Sequence, residues 1–157
     1  MRMLLQRVSS ASVTVNGQVT GSIQKGLVLF LGIGRDDTEE HALYLLEKLI
    51  NLRIFEDADG RMNLSLQDVG GGLLVVSQFT LYADIRRGRR PGFDQAAPPD
   101  KARMLYTFFL NAAKTRLTNT QTGVFQEHMD VTLTNDGPVT IFCDSIDKFV
   151  NKTHSVR

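Results

Sequence analysis

The chain has 157 residues, 42% of them apolar and 22% charged, with 18 Lys and Arg against 17 Asp and Glu. This length and balance suit one compact domain with its own hydrophobic core and argue against disorder, while a single cysteine, Cys143, excludes an intrachain disulfide framework. A formal charge of +1 argues against wrapping a long nucleic-acid backbone, since phosphate neutralisation supplies most of that affinity, so any RNA contact should be local. No apolar run approaches the roughly 20 residues of a membrane span. Met1 to Arg7 lacks the apolar stretch and cleavage site of a signal peptide. The expected location is the cytoplasm, with no membrane partner.

Met3 to Val8 reads as a short strand. Ala11 to Ile23 holds two alternating segments around Asn16-Gly17, a hairpin signal because both central positions of such a turn want positive φ. Leu27 to Ile33 is continuously apolar, as expected of a strand buried on both faces. Asp37 stands three residues before Glu40, a capping-box spacing with Asp in the Ser/Thr position. Ala42, Leu45, Leu46, Leu49 and Ile50 follow at helical spacing. Ile54-Phe55 precedes a turn at Asp57 to Gly60, and Gly70 to Gly72 lead into a buried strand, Leu73 to Ser77, that runs directly into Gln78-Phe79-Thr80-Leu81.

A turn-rich loop from Asp84 to Pro99 contains Arg86-Arg87-Gly88-Arg89-Arg90. Asp100 is expected to cap a second helix with an apolar stripe of Ala102, Leu105, Phe108, Phe109, Ala112 and Ala113. Strands then return: Val131 and Leu133 alternate with Thr132 and Thr134, Asn135 to Pro138 reads as a hairpin turn, and Val139 to Cys143 closes the series. The predicted architecture is α/β, a single compact domain over residues 1–145 of mixed-sheet or barrel-like strands with two main helices. Residues 146–157 read as a polar tail, either frayed or weakly helical. The element order is too irregular for a doubly wound parallel sheet.

His41, His128 and His154 have no metal-ligand spacing with one another or with Cys143, so neither a metal nor another cofactor is expected. His41, near a helix start, and His154, in the tail, read as solvated, and Cys143 as a small core residue. Gly70 to Gly72 lack the Lys-Ser/Thr of a phosphate loop, and no G-x-S-x-G elbow occurs. Two segments break ordinary strand grammar. In Ser77-Gln78-Phe79-Thr80-Leu81 a buried strand meets hydroxyls, and by residue type alone the plainer reading is a strand leaving the core. In Asn135-Asp136-Gly137-Pro138-Val139-Thr140 it is a hairpin turn with Pro138 opening the next strand, where its missing N–H costs nothing.

As a pair, these segments match S-Q-F-T-L and N-x-G-P-x-T, and through them the chain resembles the D-aminoacyl-tRNA deacylase family. The likeness runs from Met1 to about Asp144 and includes Gln6-Arg7-Val8, Ala11-Ser12-Val13, Arg53-Ile54-Phe55, Met62-Asn63-Leu64, Arg90-Pro91, and Asn119 to Gly123 with Phe125. It implies a metal-free homodimeric hydrolase, with sites at the subunit interface, that cleaves the ester joining a D-amino acid to the 3′-terminal adenosine of tRNA. By the same resemblance Ser77, Gln78, Phe79 and Thr80 form the catalytic segment. Gly137-Pro138 would be a cis peptide that enters the other subunit's pocket and excludes L-amino acids. Glycine has no side chain to exclude, so glycyl-tRNA(Ala) is an expected second substrate.

Two chemistries stay open. Thr80 could attack as a nucleophile, but it needs an activating base that the sequence does not offer nearby. Alternatively, backbone N–H groups around Phe79 and Thr80 stabilise the oxyanion while water attacks, assisted by the substrate's 2′-hydroxyl; one such donor contributes about 3–4 kcal/mol. The second is the preferred reading. Phe125 and Met129 would hold the terminal adenine, with core packing as the alternative. Arg86 and its neighbours would meet acceptor-end phosphates or form a solvated loop. Arg7 would fix the cross-subunit loop or form a surface ion pair. The rival functions are a non-catalytic RNA-binding module and a general ester or amide hydrolase using Thr80.

Overall fold

The computed structural model of the chain describes residues 1–150. Its longest early element is β1 (Arg2–Val15), a continuous strand where the sequence suggested separate pieces. β1 turns through Asn16 (φ 49°) and Gly17 (φ 79°) into β2 (Gln18–Ile23), so both turn residues take the positive φ that Asn-Gly favours. β3 (Gly26–Gly32) pairs antiparallel with the first half of β1, with Arg7 opposite Leu27 and Met3 opposite Leu31. Helix α1 (Glu39–Asn51) follows, then the small hairpin of β4 (Phe55–Glu56) and β5 (Met62–Leu64).

β6 (Gly72–Ser77) lies parallel to β3, with Ser77 opposite Leu31. After α2 (Pro99–Arg116), β7 (Thr120–Thr122) lies parallel to β6. β8 (Asp130–Asp144) runs antiparallel along the other edge of β1. The sheet order is β2-β1-β3-β6-β7, with β8 beyond β1. The sheet curls until β2 meets β7, closely enough that a Cβ on Gly21 would sit 2.6 Å from the Thr122 carbonyl oxygen.

Period-two alternation gives the sheet two buried faces. Met3, Leu5, Leu27, Leu29, Leu31, Leu73 and Val75 pack against Leu45, Leu46 and Leu49 of α1 and Leu105, Phe109 and Ala113 of α2. Val8, Ala11, Val13, Val28, Leu74 and Val76 form a smaller core on the opposite face. The inward parity of β1 changes between Val8 and Ala11, where its pairing with β8 shifts register. Among the described residues no helix is long and apolar enough to cross a membrane.

Several local expectations are corrected. Thr38, not Asp37, is the N-cap of α1, and the His41 ring accepts the Thr38 N–H at 3.1 Å. Asp37 is instead drawn inside, where it accepts the Met1 ammonium and the Gly34 N–H. Asp100 lies within the first turn of α2 rather than capping it, because Pro99 already starts the helix with a suitable fixed φ. The start of the expected tail is helical, as one of its two readings has it: α3 spans Ile146–Val150. Its Phe149 ring lies 4.4 Å from that of His41, which is therefore partly covered rather than simply solvated. His154 lies outside the described residues.

The Asn135 to Pro138 segment is not a hairpin turn. β8 keeps its direction, and Val8 pairs with Asn135 while Gln6 pairs with Thr140, leaving residues 136–139 bulged from the ladder. Asn135 spans the gap: its Oδ1 accepts the Val139 N–H at 2.7 Å, and its Nδ2 donates to the Val139 carbonyl at 3.1 Å. The Gly137-Pro138 peptide at the bulge is cis. Gln78 to Leu81 likewise do not continue β6; the chain folds into a 3-10 turn over Phe79–Tyr82.

Candidate active site

A pocket of about 650 Å³ opens beyond the carboxyl ends of the parallel strands β3 and β6, where ligands of α/β sheets characteristically sit. Leu31, Val76, Ser77, Gln78 and Phe79 form one wall. Phe93, Ala96 and Ala97 come from the loop before α2, Pro99 and Ala102 from α2 itself, and Phe125 to Met129 from the segment before β8. Mostly apolar walls with a few polar groups at one end suit a small organic moiety that must be oriented.

The Ser77 to Thr80 segment changes from strand to turn at the pocket. Gln78 N–H still donates to the Leu31 carbonyl at 2.8 Å, Leu81 N–H returns to the Gln78 carbonyl at 3.3 Å, and Ala83 N–H to the Thr80 carbonyl at 3.0 Å. Phe79 and Thr80 open the turn, and among the described residues neither of their N–H groups has an acceptor. The Phe79 ring is 58% exposed and stands edge-on to Phe93, with centroids 4.9 Å apart. Thr80 is exposed, lies outside the pocket lining, and its hydroxyl accepts a hydrogen bond from the Gln78 amide. No titratable side chain among the described residues is hydrogen-bonded to that hydroxyl.

Phe125 and Met129 serve both packing and pocket. Phe125 packs against the main core, 5.5 Å from Tyr106 between centroids, and the Arg103 guanidinium lies 4.6 Å from its ring centre. Arg103 also donates to Gln126 Oε1 at 2.8 Å, which fixes the start of this wall. Tyr106 donates to the Val75 carbonyl at 3.1 Å, and burial pushes its phenol pKa well up. Met129 packs against the second core, and a Cβ on Gly123 would come within 2.5 Å of its sulfur, so glycine there makes room for it.

Other expected site residues lie elsewhere. Arg7 is 5% exposed and its Nε lies 3.8 Å from the Asp136 carboxylate, so the ion pair is present but its guanidinium is buried rather than on the surface. Its Nε donates to the Asp136 carbonyl at 2.8 Å and its guanidinium to the Ile54 carbonyl, so it supports the bulge from below. Gly137 and Pro138 are exposed on that bulge. The bulge is level with Leu27, whereas the pocket begins at Leu31 and Ser77, about 13 Å further along at roughly 3.3 Å per residue. The chain therefore does not bring its own Gly137-Pro138 to its own pocket. Arg86 is engaged within its loop by Asp84, at 2.9 and 2.7 Å, which holds the Asp84 carboxyl far below the usual range. Arg87, Arg89 and Arg90 are exposed at the loop tip.

Phe93, Ala96 and Ala97 carried no sequence signal, since small and aromatic residues in a turn-rich loop have no spacing that reports a pocket, and Ala102 was legible only as part of the apolar stripe of α2. His128 also reaches the rim, with a side chain 94% exposed. Cys143 is half-buried against the core, and burial pushes its thiol pKa up. Among the described residues no group of three His, Cys, Asp or Glu is placed to hold a metal.

A family model described as D-Tyr-tRNA(Tyr) deacylase matches residues 4–144. A D-aminoacyl-tRNA deacylase of Koribacter versatilis (strain Ellin345) is 54% identical over 95% of this chain and all of its own length. One of Thermus aquaticus is 55% identical over 97% of this chain and all of its own. Among solved structures, a c-Myc DNA Unwinding Element Binding Protein has a TM-score of 0.87 at 37% identity, covering 92% of this chain and 98% of its own. A probable eukaryotic D-amino acid tRNA deacylase shares the fold, with a TM-score of 0.78 at 18% identity over 90% of this chain and 97% of its own.

Proposed function

The chain belongs to the D-Tyr-tRNA(Tyr) deacylase family, and from that membership we propose that its pocket hydrolyses the ester of D-aminoacyl-tRNA, releasing a free D-amino acid and tRNA in the cytoplasm, where tRNA is charged and used. The observation that carries this reading is the Ser77 to Thr80 segment: it matches the family's motif, lines the pocket through Ser77, Gln78 and Phe79, and has main-chain N–H groups at Phe79 and Thr80 with no acceptor among the described residues. Water adds to the ester carbonyl, the carbonyl oxygen becomes an oxyanion held by the Phe79 and Thr80 N–H groups, and the C–O bond to the ribose breaks. The 2′-hydroxyl of the terminal ribose assists the proton transfers. The Thr80 hydroxyl, bonded to an amide rather than a base, is not the nucleophile.

Handedness is assigned to Gly137 and Pro138 of a second copy of the chain, reaching into this pocket. Their exposure, the buried Arg7 beneath them and their distance from the chain's own pocket support that arrangement. A rigid wall at the α-carbon rejects an L side chain by collision, which discriminates more strongly than apolar affinity, worth about 1–3 kcal/mol per methylene. Glycine meets no such wall, so glycyl-tRNA(Ala) is a second substrate. A homodimer is further supported by an apolar row across three strands, half-buried Leu4 and Phe30 in register with Phe142, which is 54% exposed.

Phe125 and Met129 hold the terminal adenine. Arg87, Arg89 and Arg90 meet acceptor-end phosphates, with Arg86 bracing the loop through Asp84. The test is to offer the purified protein D-tyrosyl-tRNA and, separately, D-tyrosine ethyl ester. Cleavage of the first alone is expected. Binding of the tRNA without cleavage would favour an RNA-binding module, and equal cleavage of both a general hydrolase.

A further inference from the structure

The 3-10 turn that carries Phe79 and Thr80 has no buried residue of its own, so something outside it must fix its place in the pocket. Its far end is the anchored one. The Tyr82 hydroxyl donates to Asp37 Oδ2 at 3.2 Å, and the same oxygen accepts the Gly34 N–H at 2.6 Å. The other oxygen of this carboxylate, in a residue 6% exposed, takes the Met1 ammonium. On the opposite side, the Arg2 guanidinium lies 4.4 Å from the Tyr82 ring centre and donates to the Leu81 carbonyl at 2.9 Å, while Asp144 holds Arg2 at 2.9 Å.

Gly34 is also tied to the facing wall. It forms an antiparallel bridge with Ala96, which lines the pocket, and a Cβ on Gly34 would lie 2.6 Å from the Tyr82 hydroxyl. Asp37 thus joins the Phe79 turn and the Ala96 loop from behind. Burial and the Asp37 charge push the Tyr82 phenol pKa far above its ordinary value, so the hydroxyl remains a donor.

We propose that Tyr82, through its hydrogen bond to Asp37, is a positioning residue that sets where the turn with the Phe79 and Thr80 N–H groups stands relative to the pocket that Phe79 lines. The proposal rests on the deacylase reading for its consequence in rate, and on geometry alone for its consequence in structure. Main-chain donors stabilise an oxyanion only at about 2.7–3.1 Å from it, so a displaced turn should lose rate before it loses binding.

Tyr82→Phe removes one oxygen and leaves Asp37 with its other partners, so the fold should persist. The expected result is a fall of about tenfold in the maximal single-turnover rate on D-tyrosyl-tRNA, with the half-saturating enzyme concentration within about twofold. Amide exchange at Leu81 and Ala83 should quicken while that of Val75 and Val76 in β6 stays as in the parent. Tyr44→Phe, on α1, should behave as the parent. A Tyr82→Phe protein with parental rate and parental exchange overturns the proposal. So does a loss of rate that comes with equally faster exchange throughout β6, since that is general destabilisation. If the parent itself leaves D-tyrosyl-tRNA intact, the deacylase reading falls, and exchange at Leu81 and Ala83 alone decides whether Tyr82 positions the turn.

Discussion

Thr80 and Arg7 show what a residue type can and cannot say about its own role. A threonine beside a pocket invites the part of nucleophile, and its neighbours favour the proposed main-chain mechanism instead. Its hydroxyl receives the Gln78 amide, and no titratable side chain among the described residues bonds to it. Thr80→Ala should therefore keep the rate of D-aminoacyl-tRNA hydrolysis within about tenfold of the parent, the main-chain donors being intact. Near-complete loss of turnover, with unchanged melting and tRNA binding, would place the nucleophile at Thr80 Oγ. By residue type Arg7 was legible only as a cation; the family resemblance added that it would hold the Gly137-Pro138 loop, and its guanidinium does meet the Asp136 carbonyl there. Its burial follows from the β8 bulge, which supplies the Asp136 carbonyl for its guanidinium, and a bulge leaves no trace in the residues around Arg7 itself.

Elements with strong periodicity were readable because burial dictates their pattern. α1, β3 and β6 appear within a residue or two of where helical spacing or a continuous apolar run put them. Asn135-Asp136-Gly137-Pro138 was misread because hairpins and bulges use the same turn residues. What separates them is whether the partner strand continues, and β1 does. The start of α1 was misread for a related reason: Asp37 has the right spacing for a cap, but a buried ammonium and Gly34 N–H compete for its carboxylate.

His41 took over the reciprocal part of that cap, and this makes α1 sensitive to pH. Chiefly by burial, against an opposing pull from Asp37, its pKa is lowered from the ordinary 6.5. The fold favours the neutral ring, so below pH 6.5 the unfolded chain binds more protons than the folded one. The associated stability is fully present above that value and declines as pH falls through it towards the lowered folded pKa. The melting temperature of the parent should drop more between about pH 7 and pH 5.5 than that of His41→Gln, whose amide can accept the Thr38 N–H without titrating. Equal drops would remove His41 as the cause.

At the scale of the whole molecule, the pocket gathers segments far apart in the chain: the ends of β3 and β6, the loop before α2, and the stretch before β8. Sequence could point to the Ser77 to Thr80 segment through its motif, but not to Ala96 or Phe93, whose role depends on where α2 turns the loop. The same topology keeps the Gly137-Pro138 bulge away from the chain's own pocket, which is the physical reason for invoking a second copy. Phe142→Glu would put a carboxylate into the apolar row formed with Leu4 and Phe30. It should convert a dimer to a monomer in sedimentation and abolish discrimination between D and L substrates, with little change in melting, because Phe142 is 54% exposed in the single chain. A monomer that still discriminates would refute the two-chain pocket.

The central claim is that a largely main-chain site removes D-amino acids from tRNA and spares L-amino acids. Its most direct measurement is the rate at which the purified protein hydrolyses matched D-tyrosyl-tRNA and L-tyrosyl-tRNA under identical conditions. The expected result is rapid loss of the D ester and persistence of the L ester at its spontaneous rate, a ratio of about a hundredfold or more, beyond what one methylene contact provides. Equal rates for the two, or no hydrolysis of either, would contradict it.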